Sequence, residues 1–240
     1  MKRPLRAYGF VALMLAGVVL AQSAGSHSAV TPVPRTEESW LRRQQQINER
    51  VRQGNVDLIF IGDSITQGWE SAGRAAWEKH YARRNAANLG IGGDRTQHVL
   101  WRLDHGNLEG IRPRAAVVMI GTNNSNGADN TAQEIAEGIT AIIHKLGEKL
   151  PQTKVLLLAV FPRGQTPDPQ REKIAKVNSL IAGLHDGQRV HFMDIGPNLT
   201  NPDGAIYPEI MPDFLHLSPK GYEIWAASIE TRVAELMGEK

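Results

Sequence analysis

Ser64 stands within the run VDLIFIGDSITQG, residues 56–68, where the apolar residues stop at Gly62 and an acid, Asp63, precedes the hydroxyl. A short apolar run closed by glycine reads as a buried strand entering a tight turn. In open α/β sheets, ligands gather outside the carboxyl ends of such strands, so the hydroxyl is a candidate nucleophile. An Asp or Ser in the same place also serves as a helix N-cap, and that reading stays open for this stretch taken alone. A serine hydroxyl needs a positioned base, commonly a histidine that a carboxylate orients. Asp213 and His216 lie three apart in MPDFLHLSPKGY. On a helical turn they would share a face, with the carboxylate on one ring nitrogen and the other left for Ser64. Two further turns, at 90–94 and 121–124, offer donors for an oxyanion: the N–H of Gly93 and the side-chain amide of Asn123, beside the N–H of Ser64 itself. His98, His105, His144, His185 and His191 fall in predicted helices or beside short strands with no fitting partner.

These residues need a frame that gathers strand ends. Apolar stretches at 56–61, 86–89, 115–120, 155–160 and 190–193 predict about five strands, and helical periodicities fall between them. The alternation predicts an α/β fold with a parallel sheet covered on both faces, and right-handed crossovers would bring the three turns to one sheet edge. A charged helix over 36–53, with Trp40, Ile47 and Val51 near one face, is expected to lie over the sheet edge and to carry no chemistry. The proline-rich stretch 196–217 reads as a loop that delivers Asp213 and His216 to the last helix.

The chain of 240 residues has enough apolar material for one core and shows no internal repeat. Lys2, Arg3 and Arg6 precede an uncharged apolar run that ends in small residues at Ala21, which predicts a cleaved signal peptide over 1–21 and export to the periplasm or the extracellular space. Its thirteen apolar residues, 9–21, fall short of the ~20 needed to cross a bilayer, so no stable membrane anchor is expected after cleavage. Losing three basic residues takes the formal net charge from +2 to −1, which removes the case for nucleic acid as a partner. Residues 22–35, polar and carrying Pro32 and Pro34, predict an exposed linker, and 36–240 one domain. The absence of cysteine excludes disulfides and thiolate metal sites.

Taken in order, GDS at 62–64, the glycine before Asp94, GTNN at 121–124 and DFLH at 213–216 resemble the sequence blocks of the SGNH, or GDSL, hydrolases. NLGIGGDRTQHVLWRL, IGTNN, FPRG and DFLHLSPKGY are similar in addition to the catalytic α subunits of type I platelet-activating factor acetylhydrolases, and the likeness extends over most of 56–230. The resemblance implies a three-layer α/β/α flavodoxin-like fold and serine ester hydrolysis with no metal and no cofactor. It implies Ser64 as nucleophile, His216 as base, Asp213 as its orienting carboxylate, and Ser64, Gly93 and Asn123 as the oxyanion hole. It also implies a small acyl pocket, for which Ile65 and Leu215 are the expected walls, and pairing into homodimers. Asn124 departs from the Asp of many superfamily members but agrees with the acetylhydrolase-like group. The leader departs from that group, whose members are intracellular.

The expected function is an exported serine esterase acting on short acyl, above all acetyl, esters of small molecules or glycans. A lipase or lysophospholipase, or an acetylhydrolase of the platelet-activating-factor type, would use the same mechanism. Two readings come from other classes. A catalytically inactive carbohydrate-binding relative is opposed by the intact Ser64, Asp213 and His216. A dinucleotide-binding turn at 90–94 lacks its third glycine, whose position is held by Arg95.

Overall fold

Side chains alternate along the central strand: Leu58 and Phe60 enter one apolar layer, Ile59 and Ile61 the other. A strand buried on both faces has no solvent side, which is why its sequence is a continuous apolar run. The computed structural model describes residues 26–239. The predicted leader at 1–21 and the start of the predicted linker fall outside the described residues. In chain order the elements are α1 (Glu38–Arg52), β1 (Leu58–Gly62), α2 (Ser64–Gln67), α3 (Arg74–His80), β2 (Ala86–Gly90), α4 (Thr96–Leu103), β3 (Ala115–Met119), α5 (Ala132–Lys149), β4 (Lys154–Leu158), α6 (Pro169–Ile181), β5 (Val190–Met193) and α7 (Pro219–Met237). The five strands form one sheet in the order β2-β1-β3-β4-β5, with every neighbouring pair parallel.

This is the flavodoxin-like order, and its switch point falls between β1 and β3, where connections leave in opposite directions and open a crevice at the carboxyl ends. Helices α1, α4, α5 and α6 cover the Ile59 and Ile61 face, while α3 and α7 cover the Leu58 and Phe60 face. The second layer is aromatic: Trp69 lies 4.7 Å from Tyr222 and 4.8 Å from Trp225 between ring centroids, and Phe60 lies 4.8 Å from Tyr81. Such pairs contribute ~0.5–1.5 kcal/mol each beyond burial. Here they fix the segment after α2 against α7, so the nucleophile turn rests on a rigid layer.

Two sequence expectations shift. The helix predicted over 74–84 ends at His80, continues as a 3-10 turn and closes at Asn85 in the left-handed region, with φ 45°. Within the stretch expected to be an exposed linker, residues 31–34 are exposed, but the chain is tied down at His27, Ala29 and Val33. Ala29 is fully buried, its carbonyl accepts from Thr96 Oγ1 at 2.7 Å, Val33 N–H donates to Gln97 O at 3.3 Å, and His27 Nε2 meets Glu137 Oε2 at 2.7 Å. Composition missed this because the strap is held by hydrogen bonds to α4 and α5 rather than by an apolar stripe.

Candidate active site

Gly62 lets β1 run directly into the nucleophile turn. A Cβ there would lie 2.4 Å from Met119 O and 2.1 Å from Thr66 Oγ1, so a side chain would push α2 off the sheet. Asp63 takes the N-cap role, accepting from Ile65 N–H at 3.0 Å. It is fully buried, and burial raises its carboxyl to about 7. With the cap supplied by Asp63, the Ser64 hydroxyl is free to meet His216 Nε2, at 2.9 Å. His216 Nδ1 in turn lies 2.6 Å from Asp213 Oδ2. The residues on which sequence reasoning placed nucleophile, base and orienting acid thus form one continuous hydrogen-bonded chain.

The segment holding the base is not the helical turn that the spacing suggests. Phe214 has φ 59°, in the left-handed region, so the chain reverses around the Asp213 side chain instead. Asp213 Oδ1 accepts from Leu215 N–H at 3.1 Å and His216 N–H at 2.7 Å, a local turn of the kind Asp favours. Gly164 N–H donates to Phe214 O at 2.8 Å and holds this strained residue from outside. Burial pulls the Asp213 carboxyl up, but hydrogen bonds from the His216 side chain and from the N–H groups of His216 and Leu215 outweigh it and hold the carboxyl below its ordinary value.

Across the nucleophile lie the other two turns. A Cβ on Gly92 would stand 3.8 Å from Ser64 Cβ, which places the 92–93 turn beside the hydroxyl. Gly93 has φ 78°, a conformation that favours glycine, and a Cβ there would displace the Arg35 guanidinium, whose Nη1 stands 2.6 Å away. Asn123 Nδ2 donates to Asp94 O at 2.9 Å, and its other contact, to Asp63 Oδ2, is 3.5 Å. That long contact leaves one amide proton for an oxyanion.

Beneath these turns is a buried network that sequence reasoning missed. Arg102, with no exposed surface, donates through Nε to Asp94 Oδ2 at 2.7 Å, through Nη2 to Gly62 O at 2.9 Å and through Nη1 to Asn107 Oδ1 at 2.8 Å. Trp40 Nε1 donates to the other Asp94 oxygen at 2.7 Å, so α1, expected to carry no chemistry, helps hold the oxyanion turn. Burial raises the Asp94 carboxyl and lowers the Arg102 guanidinium, while their direct contact favours the charged pair. Asn124 is likewise buried, accepting from Thr96 N–H at 3.0 Å and donating to Asn130 Oδ1 at 3.0 Å. No spacing rule announces these contacts, because the partners come from different elements. His98 caps α4, accepting from Arg95 N–H at 3.0 Å, and burial lowers it to about 4.

The two expected acyl-pocket walls differ from each other. Ile65 is 1% exposed inside the aromatic layer and presents almost no surface, whereas Leu215 is half-buried at the edge of that layer. Two cavities of about 490 Å³ lie elsewhere, one at the ends of β4 and β5 around Pro162, Asp194 and Asn201, the other at the opposite end of the sheet around Ile111 and Leu150.

A hydroxyl in contact with an oriented imidazole, flanked by donors on two adjacent turns, is an arrangement suited to attack on an acyl carbonyl. The comparisons with known proteins agree with that chemistry. The α1 subunit of human platelet-activating factor acetylhydrolase IB is 38% identical over 201 residues, covering 83% of this chain and 85% of the relative. Among solved structures, a GDSL-like lipase from Bacteroides thetaiotaomicron superposes with a TM-score of 0.66 at 22% identity, over 83% of this chain and 99% of the other. Est24, a carbohydrate acetylesterase from Sinorhizobium meliloti, gives 0.60 at 22% identity, over 76% and 100%. Residues 60–224, which hold every residue of the site described above except Arg35 and Trp40, match the GDSL-like Lipase/Acylhydrolase family, and the chain belongs to that family.

Proposed function

We propose that the protein is an exported serine esterase that removes short acyl groups, acetyl foremost, from acetylated carbohydrate by way of an acyl-enzyme. The observation that carries this reading is the chain Asp213 Oδ2, His216, Ser64 Oγ, with contacts of 2.6 and 2.9 Å. Ser64 Oγ attacks the ester carbonyl as its proton passes to His216 Nε2. The charge that develops on the carbonyl oxygen faces the N–H groups of Ser64 and Gly93 and the free proton of Asn123. Collapse breaks the bond to the leaving alcohol, which takes the proton from Nε2. Water then attacks the acyl-enzyme through the same base, releasing the acid and restoring the Ser64 hydroxyl.

The acetyl preference is supported by the human relative, an acetylhydrolase subunit by name. Export is supported by the charged, apolar and small-residue order of 1–21, and it brings the enzyme to glycans outside the cytoplasm. The test is to express residues 22–240 and to compare acetyl, butyryl and octanoyl p-nitrophenyl esters with the native chain and Ser64→Ala. Acetyl ester hydrolysis should dominate and fall ~10⁴-fold or more in the variant. Preference for the octanoyl ester would replace this reading with a lipase. Native activity no higher than that of folded Ser64→Ala would replace it with a carbohydrate-binding relative.

A further inference from the structure

Three arginines stand around the turns of the site, and their circumstances differ. Arg35 is paired with Glu37 at 2.7 Å and Arg95 with Asp129 at 2.7 Å. Arg163, from the loop after β4, forms no ion pair among the described residues. Its Nη1 donates to Thr122 O at 3.3 Å, Thr122 Oγ1 at 3.2 Å and Asn126 Oδ1 at 3.1 Å. Its Nε and Nη2 meet no protein acceptor, and neither is sealed from solvent. Thr122 directly precedes the oxyanion candidate Asn123, and the next residue, Gly164, donates to Phe214 O between Asp213 and His216. Arg163 and its neighbour Gly164 are therefore tied to both walls of the site.

Burial lowers the Arg163 guanidinium, and Asp63, Asp168 and Asp213 oppose that from beyond ion-pair distance. A half-buried cation with two adjacent open donors is an unusual expense for a structural strut, since one nitrogen already makes every strut contact. Guanidinium forks match carboxylate and phosphate oxygens two at a time. We propose that Arg163 is an anion subsite, holding a carboxylate or phosphate that the ester substrate carries close to its scissile bond. This inference rests on the esterase reading above and narrows it to acidic acetyl esters.

The experiment pairs each acidic ester with a neutral twin: O-acetyl galacturonate with its methyl ester, and acetyl glycerol 3-phosphate with monoacetylglycerol. The native enzyme should favour the acidic member of at least one pair, and which pair responds separates a sugar carboxylate from a phosphate. Arg163→Gln should lower the acidic-to-neutral ratio of kcat/KM by about tenfold or more, mainly through KM, and Arg163→Lys should restore part of it. A serine-reactive fluorophosphonate counts competent sites, so loss of folded enzyme is corrected for in each variant. An equal fall for both members, or an unchanged ratio, would overturn the subsite and leave the esterase intact. No Ser64-dependent hydrolysis of any of the four esters would overturn both.

Discussion

Asp63 and Asp213 are the two carboxyls flanking the Ser64 and His216 pair in the site, and their surroundings drive them apart. Asp63 is fully buried beside the nucleophile, with burial raising its carboxyl to about 7. Asp213 has a side chain 56% exposed, on a loop, and its hydrogen bonds from the His216 segment hold it low. The contrast extends to what supports each end. The nucleophile and oxyanion turns sit over the Arg102, Asp94 and Trp40 network, in which every partner comes from a different element and all are buried. The base and its acid are held by a four-residue turn that binds itself, with Gly164 as an outside brace. The hydrogen-bonded chain from Ser64 to Asp213 thus joins one half whose accuracy is inseparable from stability to another whose accuracy is local. Substitutions should separate activity from stability in one half and join them in the other.

The largest effect is expected in the local half. Asp213→Asn keeps the shape but loses the charge that orients and stabilises the His216 imidazolium, so kcat on p-nitrophenyl acetate should fall ~10³- to 10⁴-fold. Because the side chain is exposed and the amide can still accept from the two N–H groups, unfolding free energy in urea should fall by no more than ~1 kcal/mol. A stability loss above ~2 kcal/mol would break the comparison, since the turn would then be part of the packed scaffold rather than self-contained.

In the buried half the order reverses. Arg102→Met leaves the Asp94 carboxylate without its partner and Gly62 O without its donor, both away from water. Breaking a buried pair by removing one member costs ~3–5 kcal/mol, read as a lower urea midpoint at unchanged slope. A loss below ~1 kcal/mol would mean that the pair contributes no more than a surface contact, and the two halves would be alike.

The same division explains what could be read from the chain. Strand parity was legible because Leu58, Ile59, Phe60 and Ile61 form an unbroken apolar run, which only a doubly covered strand requires. That Ser64, Asp213 and His216 would come together was legible because acyl chemistry restricts residue type, and two of the three lie close in sequence. Arg102 was not legible: arginine is expected at the surface, and its partners Asp94, Gly62 O and Asn107 reach it only after the chain has folded. Ile65 shows the converse, since the residue next to Ser64 in sequence is 1% exposed within the aromatic layer. Phe214 was hidden for a third reason. A left-handed phenylalanine is read from no pattern and exists because Asp213 and Gly164 hold the backbone on both sides.

The last effect sharpens the comparison through pH, as a slope and not a fixed loss. Asp63 has a folded value of about 7 against an ordinary 3.8, so between these the folded state binds the proton more tightly than the unfolded chain. Its contribution to stability is therefore present at low pH and is lost as pH rises toward about 7. The slope is bounded by one proton, ~1.4 kcal/mol per pH unit. Asp63→Asn retains an oxygen to accept from Ile65 N–H but cannot titrate. Urea unfolding of both proteins from pH 4 to 8 should show the native chain losing stability relative to the variant up to about 7, and running parallel above it. Asp213, held low, should give the opposite sign, stabilising the native chain above the unfolded carboxyl value and ceasing to do so as pH falls through its folded one. If the Asp63→Asn difference curve is flat, the carboxyl is stabilised as an anion in spite of its burial. The contrast in electrostatics between the two carboxyls would then be lost.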